Sequence, residues 1–337
     1  MILITGANGW LGYNLVELII NNKTEKWGLK KNKIIAFVYK GTNIEKLKKF
    51  NKNDLEIIEG DLNNKFELNR FLLKGNSSTL IHTVGMIHPT FTGEFYNINY
   101  KIVQNILLNL KNYSIKKTII ISSNSVAGFN SNHKSPFDEN SSFNPYLSYG
   151  KSKKMMELEV EKYFDEINIT IIRAPWFYGK NQPLRQKKFF DMILKNKFPI
   201  IGNGENLRSM VYIDNLVQGI SLAASKSISK GKVYWIADKQ PNTMNYIINT
   251  VKEIFSNEFN KKISRKNRHY PNIISSLARF FDKYIQKIGF YNTQIHVLGE
   301  LNMNIFCSTT KAENELGYLP EFSLYEGMKK CMKEIYD

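Results

Sequence analysis

Ile2-Leu3-Ile4-Thr5-Gly6-Ala7-Asn8-Gly9-Trp10-Leu11-Gly12 is the stretch that decides the fold of this chain. Ile2–Thr5 reads as a short apolar strand, and the apolar spacing that resumes at Trp10 reads as a helix running to about Asn22. Between them Gly6, Gly9 and Gly12 follow a GxxGxxG spacing. Lacking Cβ, glycines allow a tight turn, close approach of backbone to a pyrophosphate and close packing of helix on strand, with the phosphates at the positive helix N-terminus. Strand, glycine turn and helix together predict a dinucleotide site built from Gly6, Asn8, Gly9, Trp10, Leu11 and Gly12.

Working outward, a second strand spans Lys33–Tyr39, and its end decides the contact to the adenosine ribose. An Asp or Glu there hydrogen-bonds the 2′-hydroxyl of NAD. Tyr39 and Lys40 stand in its place, with Lys46 close behind. That basic end leans toward NADP, with NAD as the alternative. Further apolar runs at Leu55–Ile58, Thr79–Thr83, Thr118–Ser122 and Ile169–Arg173 alternate with helical segments, among them Glu94–Leu110. The alternation predicts an α/β fold, a Rossmann-type doubly wound parallel sheet with helices on both faces. Residues 1–175 and about 216–240 form the expected dinucleotide-binding domain. Residues 176–215 and 241–337 form the expected smaller C-terminal substrate lobe.

Pro145–Lys153, PYLSYGKSK, carries the chemistry. In a helix Tyr149 and Lys153 lie on one face, about 5–6 Å apart at Cβ. A phenol titrates near pH 10, and a cation within about 4–6 Å moves a pKa by about 1–3 units, so Lys153 is expected to make Tyr149 a usable acid/base at neutral pH. Upstream, Ser122, Ser123 and Ser125 fall where a strand meets a loop, placed to bind the substrate oxygen that Tyr149 protonates.

This Ser/Tyr/Lys set, together with the glycine opening, resembles the extended branch of the short-chain dehydrogenase/reductase family, from Ile2 to the KAENELGY segment near the C-terminus. The resemblance implies hydride transfer at a carbon bearing a hydroxyl or carbonyl. Ser123, five residues before Gly128, would orient the oxygen; Tyr149 would move the proton; Lys153 would lower its pKa and hold the ribose. It also implies that Asp61 and Leu62 meet the adenine, that Thr83, Val84 and Gly85 line the cofactor, that Asn99 is the family's structural asparagine, and that the backbone after Pro175 meets the nicotinamide amide. Arg208 matches an arginine that clamps the diphosphate in nucleotide-sugar members, whereas Trp176 stands where many of those members carry an asparagine.

The function expected on these grounds is an NAD(P)-dependent epimerase or ketoreductase of a nucleotide sugar, an anionic small molecule. Trp176 and the basic second-strand end support an alternative, an NADP-dependent reductase or dehydrogenase of an apolar ketone or alcohol, as in the hydroxysteroid-dehydrogenase and flavonoid-reductase relatives. A non-catalytic dinucleotide-binding member is a third reading, opposed by the intact Ser/Tyr/Lys set. Dehydration is disfavoured, because Asn124 and Ser125 follow Ser123 where the 4,6-dehydratases carry an Asp-Glu pair. A homodimer through the helix bearing Tyr149 and the one before it is expected from relatives.

The totals agree with a globular α/β protein. The 337 residues carry a formal charge of +17, but the lysines are spread through KLKKF, KSKK and KNK instead of forming one basic block with interleaved aromatics, which argues against a nucleic-acid partner. No run of 18 apolar residues predicts a membrane span, and no signal peptide is expected. Cys307 and Cys331 are far apart and the five histidines lack ligand spacing, so no disulfide and no metal are expected, in keeping with a cytoplasmic protein. Finally, Ile273, Ile274, Leu277, Phe280, Phe281, Tyr284, Ile285 and Ile288 form one helical stripe. Its expected place is the core, with a dimer or lid contact and a membrane surface as alternatives.

Overall fold

The computed structural model describes residues 1–264 and 266–337. Its first half alternates strand and helix: β1 (Ile2–Thr5), α1 (Trp10–Ile20), β2 (Ile34–Tyr39), α2 (Glu45–Lys48), β3 (Leu55–Gly60), α3 (Lys65–Leu73), β4 (Ser78–His82), α4 (Gly93–Phe95), α5 (Ile102–Leu110), β5 (Ile115–Ser123), α6 (Leu147–Glu161) and β6 (Ile169–Ala174). The second half runs through β7 (Trp176–Tyr178), α7 (Leu184–Leu194), β8 (Pro199–Ile201), β9 (Leu207–Arg208), β10 (Met210–Tyr212), α8 (Ile213–Ser225), β11 (Lys232–Trp235), β12 (Asn242–Thr243), α9 (Met244–Phe259), β13 (Arg268–Tyr270), α10 (Ile273–Lys287), α11 (Thr293–Glu300) and α12 (Leu324–Tyr336).

Seven strands pair in the order β11-β6-β5-β4-β1-β2-β3, every pair parallel. The strand order reverses between β1 and β4, and in such a sheet the crevice beyond the strand ends at that point receives the ligand. Successive side chains of a strand point to opposite faces. Ile2, Ile4, Ile34, Ala36 and Val38 therefore join Leu15, Val16, Leu216 and Val217 in one core, while Leu3, Ile35, Phe37 and Ile120 join Leu68, Phe71, Leu107 and Met156 in another. With both faces covered, the strands read as continuous apolar runs.

One charged cross-link runs through the second core. Arg173 on β6 and Glu157 on α6 form an ion pair at 2.7 Å with both side chains excluded from solvent. Glu157 also accepts from Ser122 on β5, and the guanidinium lies over the Phe143 and Trp235 rings at 5.3 and 5.5 Å. Helix α6 and the sheet are thereby held in one register.

The apolar stripe of α10 departs from its expected burial. Ile273, Leu277, Phe280, Phe281, Tyr284 and Ile288 are 50–66% exposed, and the residues that α10 buries are Ser275, Ala278, Asp282 and Gln286. The physical reason is that its polar face has partners: Asp282 accepts from Tyr146 and pairs with His296, Gln286 accepts from the Ser148 amide, and Ser275 donates to the Leu298 carbonyl. Helical periodicity reports two faces; satisfied buried hydrogen bonds decided which one turned inward.

Candidate active site

The glycine turn closes as its spacing requires. Gly6 has φ +71°, and a Cβ on Gly12 would lie 2.1 Å from the Gly6 carbonyl oxygen, so α1 can approach β1 this closely only with glycine there. Gly9 caps α1 without any side-chain hydrogen bond, which leaves the first-turn amides to bind an anion. Gly85, after β4, is open: a Cβ there would meet only Asn99 Oδ1 and Lys153 Nζ, each at 3.7 Å. An anion-accepting helix start, an uncrowded Gly85 and a lysine facing it at the sheet's reversal point fit a dinucleotide.

Around that crevice, Asn8 donates to Thr42 Oγ1 at 2.8 Å, tying the glycine turn to the segment after β2. Tyr39 and Lys40 are exposed at the end of β2, and Lys46 reaches Asn181 at 3.5 Å. Trp10 turns away from the turn: its indole packs on Phe177 at 4.7 Å and donates to the Lys180 carbonyl at 2.8 Å. Leu11 is buried in the core beside it. Asp61 accepts from the Asn63 amide at 2.8 Å and Leu62 is buried. Thr83 donates to the Thr5 carbonyl at 2.7 Å, and Val84 lies against Gly6.

Asn99 occupies a π-helical turn, Tyr96–Lys101, and is fully buried. It accepts from the Met86 amide and donates to the Met86 carbonyl and to Ser152 on α6, which fastens the loop after β4 to the helix that carries Tyr149.

Ser123 ends β5 and Tyr149 and Lys153 lie in the first half of α6, so a strand end and a helix some 26 residues on converge where the strands of the sheet end. The Ser123 hydroxyl pulls the Tyr149 phenol's pKa down against the larger effect of burial, which holds it above its ordinary value; the Glu300 charge raises it further. Phe95 packs against Tyr149 at 5.6 Å and Tyr291 packs edge-on against Phe95. Lys153 is buried, donates to the Ile121 carbonyl at 3.0 Å, and is brought down to about 8 by desolvation, with Glu157 opposing. The expected depression of the phenol by Lys153 is not found: burial, Ser123 and Glu300 set the Tyr149 pKa, and it lies above the ordinary value.

Arg208 on β9 is half-buried, and among the described residues its guanidinium donates one hydrogen bond, to the Glu300 carbonyl at 3.2 Å. Glu300 acts electrostatically on both Arg208 and Tyr149. Trp176 packs edge-on against Phe189 at 5.4 Å, and Pro175 precedes it at the end of β6. Among the described residues no group of three His, Cys, Asp or Glu side chains is placed to hold a metal ion.

Sequence reasoning missed the cluster that meets Tyr146 at the start of α6. His296 bonds Asp282 at 2.7 Å and stacks on Tyr146 at 5.1 Å, with Glu300 3.8 Å from its other nitrogen. Tyr146 was visible three residues before Tyr149, but its partners come from chain 136 or more residues away. Burial alone would lower the His296 pKa, yet Asp282 and Glu300 raise it above 6.5. A histidine with a raised folded pKa contributes stability fully present below pH 6.5 and lost as pH rises through the folded value. Protection of the α10 and α11 amides, taken as exchange relative to the unfolded chain at the same pH, is thus expected to fall above pH 6.5 and His296→Asn to remove that fall; an unchanged fall in the variant would show that another group is responsible.

With Ser123, Tyr149 and Lys153 meeting at the end of a parallel Rossmann-type sheet, the chain has the framework of an extended short-chain dehydrogenase/reductase. It belongs to the NAD-dependent epimerase/dehydratase family, whose model matches residues 2–237. A protein of Sinorhizobium fredii described as uncharacterised is 38% identical, with 98% of this chain and 94% of the relative covered. The N-acetyl-α-D-glucosaminyl-diphospho-ditrans,octacis-undecaprenol 4-epimerase of Escherichia coli O157:H7 is 24% identical over 98% of this chain and 94% of its own. The structure of UDP-glucuronic acid 4-epimerase from Bacillus cereus, in complex with NAD, superposes with a TM-score of 0.74 at 20% identity over 99% of this chain and 98% of that one.

Proposed function

We propose that this protein is an NAD(P)-dependent epimerase of a sugar carried on a diphosphate, with Tyr149 as acid/base. The observation that carries the reading is the convergence of Ser123, Tyr149 and Lys153 beside the Gly85 crevice, with the Arg208 guanidinium and its spare donors as the group to meet a diphosphate. Bound in that crevice, a nicotinamide dinucleotide would supply the acceptance and return of a hydride. Ser123 orients the sugar hydroxyl. Tyr149 removes its proton as the carbon is oxidised and gives the proton back after the ketone has presented its other face. Lys153 holds a positive charge against the ribose and beside the phenol. Asn124 and Ser125, in place of an acid pair after Ser123, leave no acid to drive loss of water, which supports epimerisation over dehydration.

The E. coli relative is named for a sugar joined to a lipid through a diphosphate and the Bacillus cereus protein for a UDP-sugar. Both present a diphosphate, the group that Arg208 suits. Lys40 and Lys46 beside the end of β2, with no carboxylate there, support NADP as the cofactor; titration with each dinucleotide tests this, and tighter binding of NAD would reverse it. A homodimer through α5 and α6 suits the exposed Leu108, Met155 and Leu158 on those helices.

A panel of UDP-, GDP- and dTDP-sugars and polyprenyl-diphosphate sugars, read by epimer analysis, tests the reading. One member is expected to equilibrate without added oxidant or reductant. In that reaction Arg208→Ala is expected to raise KM about 10- to 100-fold with kcat little changed, the cost of a charged hydrogen-bond donor. Turnover of an apolar ketone, indifferent to Arg208→Ala, would instead establish the reductase reading.

A further inference from the structure

We propose that the outer face of α10 docks this protein onto an anionic phospholipid bilayer. Ile273, Leu277, Phe280, Phe281, Tyr284 and Ile288 recur at helical spacing and form one exposed apolar strip. Phe290, just past the helix end, and Phe91, with which it makes a bridge and a 5.4 Å ring contact, extend the strip and are about half-exposed. The exposed charges on α10 are Lys283 and Lys287, and neither forms an ion pair among the described residues. Arg268 is exposed on the strand that leads into the helix. The nearby acid on the Phe91 side, Glu94, is engaged by the amides of Thr90 and Phe91. Asp282 is buried against His296.

Large apolar and aromatic side chains flanked by lysines are what an interfacial helix presents to headgroups and acyl chains, and the lysines select a negative surface. Among the described residues no helix is long and apolar enough to cross a membrane, and the proposed contact is peripheral. Charge favours a bilayer over a second copy of the chain: α10 offers no exposed acid to meet Lys283 and Lys287 in a self-complementary contact, whereas anionic lipid neutralises them.

The docking face is coupled to the site through its own inner side. Asp282 holds the Tyr146 hydroxyl at 3.0 Å and Gln286 holds the Ser148 amide at 3.1 Å, at the turn that begins the helix carrying Tyr149. Docking therefore sets the catalytic helix at the bilayer surface, where a lipid-carried sugar diphosphate is presented; this last step rests on the function proposed above, while the docking itself does not.

Flotation with vesicles, without substrate, tests it. The wild type is expected to float with vesicles containing phosphatidylglycerol and to remain behind with pure phosphatidylcholine. The exposed pair Phe280→Ser/Phe281→Ser and, separately, Lys283→Glu/Lys287→Glu are each expected to cut the bound fraction at least tenfold, with melting curves and turnover of a soluble sugar nucleotide unchanged. A wild type that does not float, or floats equally with neutral vesicles, overturns the proposal. So does a serine pair that lowers the mass in light scattering while vesicle binding persists, since the face would then be a subunit interface. Flotation without turnover of any sugar diphosphate would leave docking intact and count against the epimerase alone.

Discussion

Tyr149→Phe is expected to cut turnover by about 10²- to 10⁴-fold, the range lost when a positioned acid/base is removed, with dinucleotide affinity changed only a few-fold. The ring stays, so the packing on Phe95 is kept; the hydroxyl alone is deleted. Because burial holds the phenol above its ordinary pKa while Ser123 opposes it, the wild-type rate of the proton-abstracting step is expected to climb with pH through the neutral range, and the residual rate of the variant to be flat. Ser123→Ala should keep the rise but shift it to higher pH, because the hydroxyl that favours the phenolate is gone. Steady-state pH profiles of the three proteins check this. A Tyr149→Phe protein with near wild-type turnover would remove Tyr149 from the chemistry.

The second large effect concerns stability. Arg173→Met would leave Glu157 ionised, buried and without its counter-charge, at a cost of about 3–5 kcal/mol and a fall in Tm of roughly 5–15 °C. The double variant Arg173→Met/Glu157→Leu is expected to recover most of that loss, since a buried ion pair exchanged for apolar residues of similar size is often near neutral. Glu157 lies one helical turn beyond Lys153 and favours its charged form, so the double variant should melt normally and still lose activity as Lys153 deprotonates at lower pH. Thermal melts and activity profiles of the four proteins in the cycle separate the two roles. If Arg173→Met melts like the wild type, the ion pair does not bridge sheet and helix as drawn.

The fold was legible because its signals are local: a glycine turn between Thr5 and Trp10, and apolar runs that a parallel sheet buries on both faces. Tyr149 and Lys153 were legible for the same reason, four residues apart on one helix. What escaped reading depends on long-range partners. Amphipathicity marked α10 as two-faced, but the choice of inner face was made by Tyr146, Ser148, Leu298 and His296, none adjacent to it in sequence. Trp10 sits inside the glycine motif, yet Phe177 and Lys180 draw its ring out of the crevice. The pairwise charge argument for Lys153 and Tyr149 gave the helix-face geometry and omitted desolvation, which prevails in the folded chain. Glu300 carried no motif at all; only the fold brings it to Tyr149 and Arg208.

The measurement that tests the central claim most directly is to dialyse the freshly purified protein, denature it and quantify the released dinucleotide by chromatography and mass spectrometry. An epimerase returns the hydride within each turnover and has no need to exchange its cofactor, so close to one dinucleotide per chain is expected. A site emptied by dialysis that refills only from added dinucleotide would mean the cofactor enters and leaves as a co-substrate, and would contradict epimerisation in favour of net oxidation or reduction.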